Sequence, residues 1–327
     1  MTAALKAGVL GLGMMGRNHC RVLNSLEGVD FVGVYDPADG VDPTVEGKPV
    51  TKDLDAFLDT VDYCVIATPT VYHLDMGRML AERGVHALIE KPVAHTAEAS
   101  RELVELFNAA GLIGGVGHIE RFNPALQSMR SRLQDGVLGE IYQIATRRQG
   151  PFPGRIADVG VIKDLATHDI DLTAWVSQQS YVSVNARTTH RSGRPHEDMV
   201  IAIGTLSDGT IASHTVNWLT PFKERTTIVT GEKGSLVADT LTADLTYYAN
   251  GVEQLSWPGI SAFRGVSEGD VIRYALNKKE PLRSEHEAFR DAVATGDTSR
   301  IVTLAEGAEV VNIAEKLIAD GLTHRLV

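Results

Sequence analysis

Six residues near the amino terminus limit this chain more than any other feature. Gly11-Leu12-Gly13-Met14-Met15-Gly16 follows the short apolar run Ala7–Leu10 and opens the helical pattern Met15–Leu26. Where a strand turns into a helix through glycines, each glycine has its own task. The first makes the tight turn, the second lets a pyrophosphate approach the backbone, and the third lets helix and strand pack closely. The N–H groups at the start of that helix, and the positive end of its dipole, then serve the phosphates. Gly11, Gly13, Met14, Met15 and Gly16 are therefore candidate cofactor contacts.

Asp36 sharpens the motif. It ends the next apolar run, Phe31–Tyr35, at the distance where a carboxylate meets the ribose hydroxyls. A carboxylate there repels a 2′-phosphate, and no arginine follows it in Asp36-Pro37-Ala38-Asp39. The expected cofactor is NAD, with NADP less favoured. The competing reading is a structural turn with a helix-start carboxylate. It is the weaker one because the glycines and Asp36 occur together.

The same alternation continues. Asp62–Ala67, His86–Glu90 and Leu112–Val116 read as strands, and Val71–Arg83 and Ala97–Ala110 read as helices. This predicts a parallel sheet covered on both faces, whose ligands lie at the carboxyl ends of the strands. Thr68 and Pro69 of Ala67-Thr68-Pro69-Thr70 stand at that edge, with His73 just beyond. Glu90 and Lys91 of Glu90-Lys91-Pro92 stand there too, and Pro92 restricts Lys91 to an extended conformation. A proline turn that caps the next helix suits the first group equally well. An ordinary surface lysine is the alternative for Lys91.

After residue 118 the pattern changes to longer alternating segments: Glu140–Arg148, Tyr181–His190, Met199–Leu206, Thr210–Trp218, Thr226–Thr230 and Leu236–Asp239. Ser207-Asp208-Gly209-Thr210 has hairpin-turn chemistry. A mostly antiparallel sheet with helices on one face is expected. Thr303–Ile318 is amphipathic and is expected to pack back on the body. The predicted organisation is therefore 1–118, 119–302 and a terminal helix within 303–327.

Asp164-Leu165-Ala166-Thr167-His168-Asp169-Ile170-Asp171 carries a second chemistry. On a helix, Asp164 and His168 would share a face at i and i+4. A histidine held by a carboxylate suits proton transfer near neutral pH. Spacing alone also permits a helix cap at Asp164 and an ordinary half-buried His168. Metal ligation by Asp164, His168 and Asp171 is disfavoured, because no cysteine or second histidine nearby completes a set.

Composition narrows the partners. The chain has 327 residues, enough for two domains, and a net charge of -11 with a pI near 5.5. That excess of acid argues against nucleic acid as a partner. No apolar run approaches the length of a membrane span. Cys20 and Cys64 show no CxxC or metal spacing, as expected of reduced thiols in a cytoplasmic protein. The apolar Met1–Met15 stretch lacks a basic leader region and is read as a strand entering the glycine turn.

In order and spacing these segments resemble the Gfo/Idh/MocA family of oxidoreductases. The likeness includes Val161-Ile162-Lys163-Asp164, Asn217–Lys223, Gly231–Ser235 and Glu280-Pro281-Leu282 with Glu285-His286 and Phe289. It implies an N-terminal Rossmann domain with a doubly wound parallel sheet. An α+β domain with a large, open, mostly antiparallel sheet would follow it. It implies NAD-dependent oxidation of a hydroxyl on a sugar, nucleotide sugar or cyclitol. Lys91, Asp164 and His168 would be the catalytic set, Glu90 would contact the nicotinamide side, and the Lys91–Pro92 peptide would be cis. It also implies a homodimer or homotetramer formed through the open face of the second sheet. Gly117–Pro124 looks like the version in the branch that includes UDP-N-acetylglucosamine 3-dehydrogenases. On that likeness His118, Arg121, Arg155, Asp164 and His168 are the candidate substrate contacts. Arg147, Arg148 and Arg155 could bind a diphosphate or carboxylate, or belong to a solvated loop. Two other functions share this fold: an NAD-binding regulatory sensor, expected to have lost Lys91, Asp164 or His168, and a reductase for a non-sugar carbonyl or imine.

Overall fold

The structure is a computed structural model that describes residues 4–154, 159–251 and 268–323. The chain divides into two units. Residues 1–119 and 280–315 form one; residues 120–279 and 316–327 form the other. Each is built around its own sheet.

The first unit alternates β1 (Leu5–Leu10), α1 (Met14–Leu23), β2 (Val29–Tyr35), β3 (Thr44–Val45), β4 (Lys48–Thr51), α2 (Leu54–Leu58), β5 (Tyr63–Ile66), α3 (His73–Glu82), β6 (His86–Glu90), α4 (Ala97–Ala110) and β7 (Gly114–Gly117). The strand order is β3-β4-β2-β1-β5-β6-β7, and every pairing but β3 with β4 is parallel. Such strands are covered on both faces, so they read as continuous apolar runs, and every residue of β5 is buried. Leu10, Ile66, Ile89 and Val116 of the strands form one core with Leu80, Leu103 and Phe107 of the helices. The order reverses between β1 and β5. The carboxyl ends of those strands are therefore the switch point where such a sheet binds ligands.

The second unit contains α5 (Pro124–Gln134), β8 (Ile141–Pro151), α6 (Thr167–Ser177), β9 (Tyr181–Thr189), β10 (Met199–Leu206), β11 (Ile211–Asn217), β12 (Leu219–Gly231), β13 (Gly234–Asp239), β14 (Asp244–Asn250) and β15 (Glu268–Tyr274). Its order is β15-β14-β13-β12-β8-β11-β10-β9, antiparallel except where β8 meets β11. Period-two patterning sorts its faces. Val200, Ala202 and Leu206 are buried, whereas Ile201 and Ile203 between them are 52% and 55% exposed. Leu126 and Met129 of α5 and Leu172 and Val176 of α6 pack with Ile144, Val229 and Leu236 of the sheet. The Ser207–Thr210 hairpin forms as expected, with Gly209 at φ +91.

Several elements exceed the sequence reading. Strand β8 continues through Gly150 to Pro151, and β12 begins at Leu219, across an irregular register between Leu219 and Glu224. The β3–β4 ribbon, α2, α5, β14 and β15 were not expected at all. For α5 the signal was present: Asn123 Oδ1 accepts from Ala125 N at 3.0 Å, with a proline in the first turn.

Two further helices, α7 (Pro281–Thr295) and α8 (Leu304–Thr323), follow the second sheet. Residues 280–315 fold with the first unit, so the expected division into 119–302 and 303–327 does not match the structure. The cause is local. Val116 N of β7 donates to Val302 O at 2.9 Å, and Phe289 of α7 stacks edge-on against Tyr63 at 5.4 Å. Thr303 and Glu306 cap α8 reciprocally: Glu306 Oε2 accepts from Thr303 N at 2.8 Å, and Thr303 Oγ1 accepts from Glu306 N at 3.3 Å. Cys20 and Cys64 are free and buried. Among the described residues, no helix is long and apolar enough to cross a membrane.

Candidate active site

The glycine turn has the geometry its spacing demands. Gly11 adopts φ +95, and a side chain on it would meet Ala67 O at 2.9 Å. A Cβ on Gly16 would lie 2.0 Å from Gly11 O, so only glycine lets α1 approach the turn this closely. A Cβ on Gly13 would meet nothing within 4 Å, and Gly13 and Met14 are exposed. Gly13 caps α1 without any side-chain hydrogen bond, which leaves the first N–H groups of the helix for a ligand. Asp36, just past β2, is fixed by two backbone donors: Leu12 N to Oδ2 at 2.7 Å and Ala38 N to Oδ1 at 2.9 Å. Each oxygen keeps acceptor capacity for a hydroxyl. Thr68 Oγ1, at the end of β5, is buried with no partner among the described residues. An open phosphate face, a fixed carboxylate and an orphaned hydroxyl at one sheet edge fit a bound NAD.

The neighbouring edge is braced from behind. His73, the first residue of α3, is buried. Its Nε2 lies 3.0 Å from Thr68 O, and its Nδ1 lies 3.1 Å from Pro92 O. It ties the loop after β5 to the loop after β6. Burial lowers its pKa, against the carbonyls around it and the charge of Glu90. The Lys91–Pro92 peptide is cis. Glu90 turns inward: Oε1 lies 2.8 Å from His19 Nε2, and Oε2 accepts from Lys91 N at 3.1 Å. Lys91 itself is half-buried at the carboxyl end of β6.

In the second unit, Asp164 does not sit on the α-helix that the i, i+4 reading assumed. Ile162–Ala166 form a wider π turn that leads into α6, where His168 occupies the second position. Turns of this kind cluster at functional sites because they re-aim side chains. Glu197 fixes the start of the turn, with Oε1 accepting from Ile162 N at 3.1 Å. A Cβ on Gly160 would collide with that carboxylate at 2.1 Å. Asp164 is buried, and His168 is half-buried.

The two residues that flank Ile170 in α6, Asp169 and Asp171, are each clamped by a buried arginine. Arg148 of β8 reaches Asp169 at 2.9 Å and Glu120 at 2.7 Å. Arg121 grips Asp171 through Nε and Nη2, at 3.0 and 2.6 Å. Burial works against the charge on Arg148, but Asp169 and Glu120 beside it prevail and raise its pKa above the ordinary arginine value. Arg225 lies in the same cluster, where burial and Arg148 lower its pKa.

Two sequence comparisons bear on this arrangement. Residues 5–118 match the model of an oxidoreductase family with an NAD-binding Rossmann fold, and residues 126–237 match the GFO/IDH/MocA C-terminal domain. A UDP-N-acetylglucosamine 3-dehydrogenase from Acidithiobacillus ferrooxidans is 30% identical over 295 residues, covering 89% of each chain. The chain belongs to the Gfo/Idh/MocA family. It is an NAD-binding oxidoreductase with that family's two sheets. The scyllo-inositol 2-dehydrogenase (NAD(+)) of Bacillus subtilis is 30% identical over 201 residues, 57% of each chain. The solved structure of the Acidithiobacillus enzyme superposes with a TM-score of 0.84 over 97% of each chain, at 26% identity.

Within this family member, several expected substrate residues take other places. The Arg121 fork is committed to Asp171 inside the second unit. Arg148 is buried beneath α6, and Arg147 next to it on β8 is exposed, with Glu224 at 3.6 Å. Neither belongs to a solvated loop, since β8 carries both. His118 is buried. Arg155 lies outside the described residues. Asp171 is spent on Arg121, which removes it from the metal set considered with Asp164 and His168. Sequence reasoning missed the Glu120–Arg148–Asp169 cluster and the pairing of His19 with Glu90. The available signal was charge inside apolar segments, since buried charge needs a partner.

Proposed function

We propose that this protein oxidises a secondary hydroxyl of a sugar, nucleotide sugar or cyclitol, with His168 as the proton acceptor. The observation that carries the reading is the mounting of His168. It stands in the first turn of a helix whose next carboxylates are locked by Arg148 and Arg121, four residues after buried Asp164. A base must be held rigidly to take a proton in step with bond cleavage. Bound NAD supplies the hydride acceptor. His168 takes the hydroxyl proton, and the Lys91 ammonium hydrogen-bonds the same oxygen as negative charge develops on it. Asp164 orients these two groups.

Likeness over most of the chain to a UDP-N-acetylglucosamine 3-dehydrogenase puts nucleotide sugars first for trial. The test follows NADH formation with UDP-sugars, free sugars and cyclitols, with and without a second carbonyl compound able to reoxidise retained NADH. Turnover of one class identifies the substrate. If NAD binds and no hydroxyl compound reacts under either condition, the dehydrogenase reading fails.

The same reading includes a homodimer or homotetramer. On the face of the second sheet opposite α5 and α6, Ile201, Ile203 and Ile211 stand among Thr205, Ser213 and Thr215, and the three isoleucines are 45–55% exposed. A sheet face this apolar is suited to pairing with a copy of itself. Sedimentation should give a multiple of the 35.3 kDa chain mass, and Ile203→Asp should shift it towards the monomer. A wild-type monomer at micromolar concentration would refute the assembly.

A further inference from the structure

Behind the Glu90–Lys91 edge, wholly within the first unit, two buried histidines stand in line. His19 of α1 and His286 of α7 are both 0% exposed. His19 Nε2 lies 2.8 Å from Glu90 Oε1, and His19 Nδ1 lies 2.8 Å from His286 Nε2. The rings meet edge to face, with centroids 5.0 Å apart. His286 Nδ1 is buried with no partner among the described residues. Glu90 then passes the line on through Oε2, which accepts from Lys91 N.

The chemistry of the donors sets a direction. A carboxylate can only accept, so His19 must carry a proton on Nε2. One proton lies between the two rings. If His19 supplied it, His286 would have to hold its own proton on Nδ1, leaving a buried N–H without an acceptor, the rarer and costlier orphan. The proton therefore belongs to His286 Nε2, and both rings are neutral. Burial keeps His286 well below its usual pKa, in agreement. Every hydrogen bond in the line points towards Glu90.

We infer that His19 and His286 are positioning residues for Lys91: a one-way hydrogen-bond chain that keeps the Glu90 carboxylate ionised and fixed against the Lys91 backbone. The inference rests on the reading of Lys91 as the group that meets the reacting oxygen. The titratable groups around Glu90 are His19 on α1, His73 on α3 and Lys91 next to it in the chain, with His286 of α7 behind His19. Burial alone would raise the Glu90 pKa, and the His19 hydrogen bond, the charge of Lys91 and the Lys91 N–H hold it below the ordinary glutamate range. Without His19 the burial effect is left opposed by Lys91 alone. The pKa rises, and Glu90 becomes neutral as pH falls.

The test combines two measurements on the full protein. In His19→Leu, kcat should fall about tenfold for each pH unit below a new acid-side transition. That transition should be absent from the wild type and from His19→Gln, whose amide still donates to Glu90. Affinity for NAD should stay within about twofold of wild type in both. On the wild-type protein, 15N spectra of the histidine rings should show both rings as Nε2–H tautomers. The spectra need no variant, so they decide the matter even if His19→Leu does not fold. Either ring carrying a proton on Nδ1, or a His19→Leu profile of wild-type shape with only a lower Tm, would overturn the chain. Lys91→Ala is measured beside them: if it keeps wild-type turnover, the reading of Lys91 fails, while the ring spectra still judge the chain.

Discussion

His168→Ala lowers kcat by about 10²–10⁴-fold, the usual contribution of a positioned general base. Substrate KM and NAD affinity should stay within about threefold, because the imidazole acts on the proton in flight rather than on ground-state binding. The wild-type rate should fall as pH drops and the imidazole becomes protonated, since a protonated ring cannot accept. The variant has no such ring and should lose that acid limb. Asp164→Asn should retain more turnover than His168→Ala, because it removes an orienting charge and leaves the acceptor in place. Pre-steady-state NADH formation at saturating substrate measures all of this, with NAD binding followed separately by fluorescence. Turnover in His168→Ala within threefold of wild type, with the acid limb intact, would assign the proton to another group.

The first half of this site was legible in the sequence because local backbone geometry dictates it. Gly11 needs a positive φ, Gly16 has no room for a methyl, and Asp36 must follow a strand at the neighbouring position in the sheet. Those demands act within a few residues, and the sequence pattern records them directly. The second half was legible only in part. Asp164 and His168 were found by residue type and spacing, but the π turn that carries them depends on Glu197, more than thirty residues away. Arg121 and Arg148 were read as open to a ligand because arginine usually is. Their burial is fixed by Asp171 and Asp169 on another element, and neither partner is marked by local sequence. The same holds for His19 and His286, which meet only because α7 returns to the first unit.

The other large effect is expected at Arg148, and it separates holding the fold from holding the base. Arg148 is 5% exposed at its side chain, Glu120 14% and Asp169 2%. Arg148→Met fills similar volume but strands two carboxylates away from water. Breaking a buried ion pair from one side costs about 3–5 kcal/mol, so a Tm lower by roughly 6–20 °C is expected for a unit of this size. Removing all three charges together, as Arg148→Met with Glu120→Gln and Asp169→Asn, leaves no member of the trio unmatched. Replacements of that kind are often close to neutral for stability. Most of the lost Tm should therefore return in the triple variant, a coupling expected of groups in direct contact. Turnover should not return with it. Asp169 adjoins His168 on α6, and the ion pair to Arg148 is what fixes that turn against β8; an amide facing a thioether holds it less tightly. Recovery of Tm without recovery of kcat would identify the cluster as the mount of His168. Recovery of both would make it a feature of stability alone, and a triple variant no more stable than Arg148→Met would show that packing, rather than unmatched charge, set the cost.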